Sequence, residues 1–167
     1  MHELFNTQHF NKSNFNGILY DENLNEYSIS ELLDNESLSL KNKYSKYFFT
    51  KNIEEESTKL NSNSSSTPTN LDINYLIEIL GNPSSVYEKY FEKEYNGVKN
   101  FTGQASLLYN YDDYIIEVLL WDFRKWPDKD VEYISYYGMN IYTVEYFKKN
   151  LKNNFSDFNC YGENIFN

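Results

Sequence analysis

Two neighbouring runs of alternating apolar residues constrain the fold more than any other feature of this chain. Residues 105–111 and 114–123 flank the dipeptide Asp112-Asp113, and aspartate is a common turn residue. A hairpin with a loop of two or four residues gives the facing pairs Tyr109 with Ile116, Leu107 with Val118, and Ala105 with Leu120. One face of this hairpin is then wholly apolar, so the pattern predicts an antiparallel sheet with that face in the core.

The opposite face of the same hairpin is predicted to be half polar. Its residues are Gln104, Ser106, Leu108 and Asn110 on the first strand, and Trp121, Leu119, Glu117 and Ile115 on the second. A loop of three residues would reverse the alternation and bring Glu117 into the apolar set. Because an aspartate pair is a poor two-residue turn, a loop of four residues from Tyr111 to Tyr114 is preferred.

Two helices are predicted before the hairpin. Asp72 suits an N-cap, and Gly81 followed by Pro83 suits a helix end. The apolar stripe between them consists of Tyr75, Leu76, Ile79 and Leu80. Ser85 and Glu88 have the spacing of a capping box, which predicts a second helix that ends at Asn96-Gly97. The apolar stripe of this second helix would be Val86, Tyr90 and Phe91.

A third strand and a last helix are predicted after the hairpin. The strand covers residues 131–137 and is broken by Gly138. The helix is predicted from apolar residues at helical spacing, followed by lysines near its C-terminal end, where the helix dipole favours cations. These apolar residues are Ile141, Val144, Phe147 and Leu151.

The N-terminal third has weaker patterns. Residues 17–20 and 43–50 are predicted as short strands, and Ser28 with Glu31 forms a capping box for a short helix. The run Glu54-Glu55-Glu56 is predicted to be solvated, because three consecutive carboxylates cannot all face one metal ion. A polar run rich in Ser and Asn follows at residues 60–70 and is typical of a linker or long loop.

These elements predict an α+β fold, with an antiparallel meander, helices packed on one face of it, and a less regular N-terminal segment. The predicted division is an N-terminal α/β segment over residues 1–59, a linker or loop over 60–70, and an αα-βββ-α domain over 71–167.

The order helix, Leu80-Gly81-Asn82-Pro83, helix and meander resembles the αα-βββ repeat of the superfamily of β-lactamase inhibitor protein and small outer-membrane lipoproteins. The first helix of that repeat often ends in Leu-Gly-x-Pro, and the resemblance covers residues 71–137. It implies a binding module in which helices cover one sheet face and the concave opposite face holds a protein. The sequence departs from that superfamily in lacking a secretory signal, a lipobox cysteine and the usual disulfides, which argues against an extracytoplasmic role.

Charge and composition exclude several functions. The chain has 25 Asp and Glu against 15 Lys and Arg, a formal net charge of −10 that repels nucleic-acid phosphates and favours a basic partner. The sequence has no run of about 18 apolar residues and no signal-peptide pattern, so we expect a cytoplasmic protein without a membrane partner. Its one cysteine, Cys160, cannot form an internal disulfide, and we predict neither a cofactor nor a metal. The sequence leaves the oligomeric state open.

Catalytic patterns are scarce. The histidines, His2 and His9, are far in sequence from Cys160, and no nucleophile elbow, phosphate loop or zinc-protease motif is present in the sequence. The remaining candidates for acid–base chemistry on sugars, or for binding a divalent cation, are Asp112, Asp113, Asp128 and Asp130. Turn and loop chemistry explains the same aspartates, so a small carbohydrate-active or metal-dependent enzyme is the alternative hypothesis.

Residues 121–127, Trp-Asp-Phe-Arg-Lys-Trp-Pro, carry the strongest indication of function. Strand alternation places Trp121 and Phe123 on the face opposite Leu120, and Trp126-Pro127 forms a rigid aromatic corner. In one interpretation this face is covered by N-terminal residues that need a packing partner, namely Leu32, Leu33, Phe48 and Phe49. In the other it stays partly exposed and anchors a protein interface.

The interface hypothesis names its partner-binding residues as Trp121, Phe123, Trp126, Asp128, Asp130, Tyr136 and Tyr137. Together with the excess of acids, it predicts a non-catalytic, cytoplasmic protein-binding module of the inhibitor or immunity type that neutralises a more basic protein. A phage or assembly structural subunit is a further alternative to the enzyme hypothesis.

Overall fold

The structure of the chain is a computed structural model that describes residues 14–35, 47–60, 73–125 and 132–166. Its elements, in chain order, are β1 (Ile18–Tyr20), β2 (Glu26–Ser28), α1 (Ile29–Asn35), α2 (Ile53–Leu60), α3 (Ile73–Leu80), β3 (Ser85–Tyr95), β4 (Val98–Asn110), β5 (Tyr114–Lys125), β6 (Glu132–Thr143), α4 (Val144–Asn150), a 3-10 helix (Lys152–Phe155) and β7 (Asn159–Gly162).

The last five strands form one antiparallel sheet in the order β6-β5-β4-β3-β7, and β1 pairs with β2 in a separate hairpin. The α+β fold built on an antiparallel sheet is therefore confirmed. Its centre is the hairpin of β4 and β5, which has the predicted register: Tyr109 faces Ile116, Leu107 faces Val118, and Ala105 faces Leu120. The loop runs from Tyr111 to Tyr114, where the Tyr111 N–H donates to the Tyr114 carbonyl at 3.0 Å.

The wholly apolar face of this hairpin is buried, as predicted. Its residues are Ala105, Leu107, Tyr109, Ile116, Val118 and Leu120. We call residues 14–35, 47–60 and 73–80 the helical layer, because these ranges contain α1 to α3 and their apolar side chains pack on this face. Full burial of a leucine such as Leu76 stabilises the fold by about 1.5–3 kcal/mol, so the layer and the sheet hold each other in place.

The opposite face is half polar, also as predicted. At one end, Tyr87, Leu108, Ile115 and Tyr142 pack against Phe147 of α4 and against Phe155 and Ile165 of the C-terminal segment. Beside this cluster lies the buried carboxylate of Glu117, which accepts hydrogen bonds from Ser106 Oγ at 3.0 Å, Asn140 Nδ2 at 3.0 Å and the Tyr142 hydroxyl at 3.3 Å. Helix α4 thus covers the second face, while the helical layer covers the first.

Two predicted helix boundaries are confirmed. The Glu31 N–H donates to Ser28 Oγ at 3.1 Å, so Ser28 caps the start of α1. Helix α3 ends at Gly81, which has a φ of 83° and an N–H that donates to the Ile77 carbonyl at 2.7 Å. Only glycine adopts this conformation at no steric cost, which explains why the helix ends there.

The predicted second helix is wrong. Residues 85–95 form strand β3, so the order after α3 is a run of strands instead of αα-βββ. Asn96 and Gly97, predicted to end a helix, are the turn of the β3–β4 hairpin, with φ angles of 49° and 78°. An Asn-Gly pair with positive φ at both residues is the preferred two-residue hairpin turn, because its twist matches that of the strands.

The predicted break at Gly138 is also wrong. Strand β6 continues through Gly138, which faces Leu119, and ends at Thr143. Ile141 therefore belongs to the strand and not to the last helix, which begins at Val144. Thr143 Oγ1 caps this helix by accepting from the Tyr146 N–H at 3.2 Å.

The core contains one tyrosine whose hydroxyl has no hydrogen-bond partner within the described ranges, and this predicts a stabilising substitution. Tyr109→Phe removes the buried hydroxyl and should raise the free energy of unfolding by about 1 kcal/mol. The matched change Tyr142→Phe removes a hydrogen bond to buried Glu117 and should lower it by about 1 kcal/mol or more. Urea unfolding of the two variants measures the difference, and a loss of stability in Tyr109→Phe would contradict the assignment.

Candidate functional site

A cleft of about 360 Å³ opens in the helical layer. It lies between residues 14–16, the segment 49–55 and α3, which the fold brings together around the Phe15 ring. Phe15 contacts Phe49 edge to face at a centroid distance of 5.1 Å, and Asn14 Nδ2 donates to the Glu78 carbonyl at 3.3 Å. These contacts join the three segments that form the walls.

The cleft has an apolar floor and a polar rim. The floor consists of the buried side chains of Phe15, Phe49, Tyr75 and Ile79. The rim consists of the exposed residues Asn14, Asn16, Asn52, Glu55 and Glu78, with Thr50 half-buried beside them. A concave site with an apolar floor and a few polar groups is typical of a binding site. None of the residues lining this cleft is basic, so its charged groups are carboxylates alone.

Glu56 fixes the backbone of the 49–50 segment beneath the cleft. Its carboxylate is 3% exposed and accepts the Phe49 N–H at 2.9 Å and the Thr50 N–H at 3.1 Å. Burial raises the pKa of Glu56 to about 7, although the same amide hydrogen bonds act in the opposite direction. The prediction that the whole Glu54–Glu56 run is solvated is therefore wrong for Glu56, since helix α2 turns that residue inward.

The carboxylates around the cleft affect the pKa of Tyr75. Burial is the largest cause of the raised pKa of the Tyr75 hydroxyl, and the charges of Glu56, Glu55 and Glu78 raise it further. The helical layer as a whole is acidic, because its sequence contains nine Asp and Glu residues against two lysines, Lys51 and Lys59. An incoming cation would therefore meet a negative field at this site.

The residues of the predicted partner surface lie elsewhere. Trp126, Asp128 and Asp130 lie outside the described residues, and Trp121, Phe123, Tyr136 and Tyr137 are placed by the backbones of β5 and β6 alone. The helical layer, with Leu32, Leu33 and Phe49, covers the Leu120 side of the sheet and not the opposite side proposed in the first interpretation. The exposure of the predicted partner surface thus remains a prediction.

Strand alternation fails at the end of β5. Gly103 faces Phe123 and Ala105 faces Leu120, so β5 contains one extra residue between these pairs. This bulge puts Phe123 at a register position on the same side as Leu120, whereas strict alternation placed Trp121 and Phe123 together on the other side. The register therefore separates these two predicted interface residues.

The aspartates of the enzyme hypothesis are only partly described. Asp112 and Asp113 form the tip of the β4–β5 loop, where Asp112 has a φ of 64° and its N–H donates to Asn110 Oδ1 at 3.2 Å. They take part in turn chemistry, and Asp128 and Asp130 lie outside the described ranges. Across the part of the chain that the structure describes, no three His, Cys, Asp or Glu side chains are grouped to hold a metal ion, and no helix is long and apolar enough to span a membrane.

The cleft is not predicted from the sequence because helix α2 is not predicted. A signal for that helix exists: Asn52 precedes it, and Glu55 follows three residues later, the spacing of a capping pair. In the structure the Glu55 N–H donates to Asn52 Oδ1 at 3.4 Å, and Asn52 Nδ2 donates back to the Glu55 carboxylate. Both residues belong to the rim, so the cap also positions one of the two rim carboxylates.

Comparison of the chain with family models, with curated proteins and with solved structures finds no match. A proposal about its function must therefore be argued from the geometry and charge of the described residues.

The position of Glu56 predicts a pH dependence of stability. A carboxyl with a folded pKa of about 7 and an unfolded pKa near 4.5 binds its proton more tightly in the folded state, so it stabilises the fold below about pH 4.5 and loses that contribution as pH rises through 7. The full difference is on the order of 3 kcal/mol. Urea unfolding of the wild type should show this loss, and Glu56→Gln should flatten it.

Glu54→Gln is the control, because it removes the charge of an exposed neighbour on the same helix. Parallel pH profiles for the wild type and Glu56→Gln would show that Glu56 does not titrate in this way.

Proposed function

We propose that this chain is a non-catalytic binding module of the inhibitor or immunity type that acts in the cytoplasm and binds a more basic protein. The observation that carries the proposal is the concentration of acids in the helical layer, nine against two lysines, around a cleft with no basic lining residue. Complementary charge guides two proteins together and selects the partner.

The apolar floor and the polar, acidic rim of the cleft both support this proposal. A lysine or arginine from the partner would place its aliphatic stem over the apolar floor and its charged end among the rim carboxylates and amides. The rim acids, Glu55 and Glu78, come from two different helices, α2 and α3. Helix α3 packs on the sheet, and α2 is tied to the 49–50 segment by the buried carboxylate of Glu56. A concave site that receives one anchor side chain is typical of the energetic centre of a protein interface.

Exposed carboxylates contribute modestly one at a time. Each rim charge is solvated in the free protein, so its pairing with a partner cation is worth at most about 1 kcal/mol at physiological salt. The sum over an acidic layer acts mainly on the association rate and on specificity. The predicted surface around Trp121 and Trp126 would add apolar contact energy if the same partner reaches it.

The experiment uses two double variants that have the same net charge. Glu55→Gln/Glu78→Gln neutralises the rim, whereas Glu92→Gln/Glu94→Gln neutralises two exposed acids of β3 that lie outside the layer. The tagged chain is used to capture its partner from source cells, and the purified partner is titrated against each variant. We expect roughly five- to tenfold weaker binding for the rim variant, little change for the β3 variant, and weaker wild-type binding at higher salt.

Equal binding of both variants, or binding that does not respond to salt, would exclude the helical layer as the contact surface. In that case Trp126→Ala tests whether the partner uses the surface predicted from the sequence instead.

A further inference from the structure

Strand β6 is a terminal strand of the sheet, and no described residue pairs with its outer edge. The other terminal region is different. There β7 covers Ser85 to Glu88 of β3, and the uncovered remainder of β3 contains four charged residues, Lys89, Glu92, Lys93 and Glu94. Charges on an edge strand prevent pairing with other chains, so the β3 edge has a protection that natural sheets commonly use.

The sequence of β6 contains no such protection. After Glu132 the strand has eleven consecutive uncharged residues, 133–143, with no proline. They are mainly tyrosine, isoleucine and other residues that favour strands. A long, uncharged edge strand is a template for another strand, so this edge can accept one.

We propose that the occupant is a second copy of this chain, whose β6 pairs antiparallel with the first across a two-fold axis between residues 137 and 138. The sequence of β6 is self-complementary in this register. The facing pairs are Tyr133 with Tyr142, Ile134 with Ile141, Ser135 with Asn140, Tyr136 with Met139, and Tyr137 with Gly138. Aromatic faces aromatic, isoleucine faces isoleucine, and polar faces polar, which are favourable cross-strand pairs.

The observed bulge in β6 makes this register geometrically consistent. A two-fold axis perpendicular to the sheet keeps each residue on its own face, so two facing residues must share a face. In a regular strand, residues of odd and even number lie on opposite faces, and none of the pairs above would satisfy this condition. A one-residue bulge at the two-fold axis restores it for the four outer pairs, because the bulge lies between their members.

The register against β5 shows that bulge. Leu119 faces Gly138 and Leu120 faces Tyr136, which leaves Tyr137 as the extra residue. As a result, positions 136 and 139 both lie on the Leu120 side, opposite Leu120 and Val118. Positions 135 and 140 both lie on the other side, opposite Trp121 and Glu117. The alternation of faces thus changes at the residue where the proposed two-fold axis passes.

The effect of salt distinguishes this dimer from the binding of a basic partner. Two copies with a net charge of −10 each repel one another, so added salt should strengthen the dimer, whereas it weakens binding to a basic protein. In the proposed register Glu132 faces Thr143, so no like charges meet directly across the interface. A negative result for the β6 dimer therefore does not bear on the binding of a basic protein, and the reverse also holds.

Sedimentation of the full chain over a wide concentration range tests the proposal. We expect a reversible monomer–dimer equilibrium that shifts toward dimer at higher salt. Tyr137→Lys places two lysines next to each other at the two-fold axis and should weaken dimerisation at least tenfold. Val98→Lys adds the same charge at an exposed position at the start of β4 and should leave dimerisation unchanged.

Cross-linking tests the register independently and does not depend on the stability of the lysine variant. In a Cys160→Ser background, Tyr137→Cys places the two cysteines on neighbouring strands about 5 Å apart with an offset of about one residue, or 3 Å, along the strands. Ser135→Cys gives an offset of four to five residues, or about 13–17 Å, which a short cross-linker does not span. A short bis-maleimide should link the 137 variant into dimers and leave the 135 variant monomeric. A chain that is monomeric at every concentration, a dimer that is insensitive to Tyr137→Lys, or preferential linking at residue 135 would each overturn the proposal.

Discussion

The pairing of β4 with β5 is the interaction on which the rest of the structure depends. Its register sets which residues point to each side of the sheet, and a slip of one residue would move Glu117 into the apolar core and Leu107 out of it. The helical layer then has only one surface on which to bury its apolar side chains, and α4 with the C-terminal segment has only the other. The cleft exists because three segments of the layer meet on that first surface.

Buried carboxylates are a second constraint on this chain. Glu56, Glu88 and Glu117 are each at most 4% exposed. The hydrogen bonds described for them come from neutral donors, namely backbone amides for Glu56, the Tyr90 hydroxyl for Glu88, and hydroxyl and amide groups for Glu117. A buried carboxylate without enough donors destabilises a fold by several kcal/mol, so these partners fix the local arrangement of the strands and loops. The abundance of Tyr, Ser and Asn in the sequence supplies such donors.

The sequence predicted the elements that local patterns specify. The β4–β5 register followed from the alternation and the length of the loop, the start of α1 followed from Ser28, and the end of α3 followed from Gly81. The second helix was wrong because Ser85 and Glu88 fit a capping box, while the Asn-Gly pair after them, a strong hairpin signal, was assigned to a helix end. The inward turn of Glu56 and the bulges in β5 and β6 depend on tertiary packing, which no local pattern reveals. The cleft could not be predicted for the same reason, since its walls come from segments at least 20 residues apart in the sequence.

Strand β7 has a consequence for the order in which the molecule is assembled. Strands β3 to β6 follow one another as hairpins, so each can pair with its predecessor as soon as it leaves the ribosome. The outer edge of β3, by contrast, can pair only after residues 159–162 have been made. The core cluster around Phe147 and Phe155 is complete only after Ile165 has been made. During synthesis the nascent sheet therefore exposes the outer edge of β3 until residues 159–162 have been made. A chaperone that shields nascent strands would therefore act on β3 until β7 pairs with it.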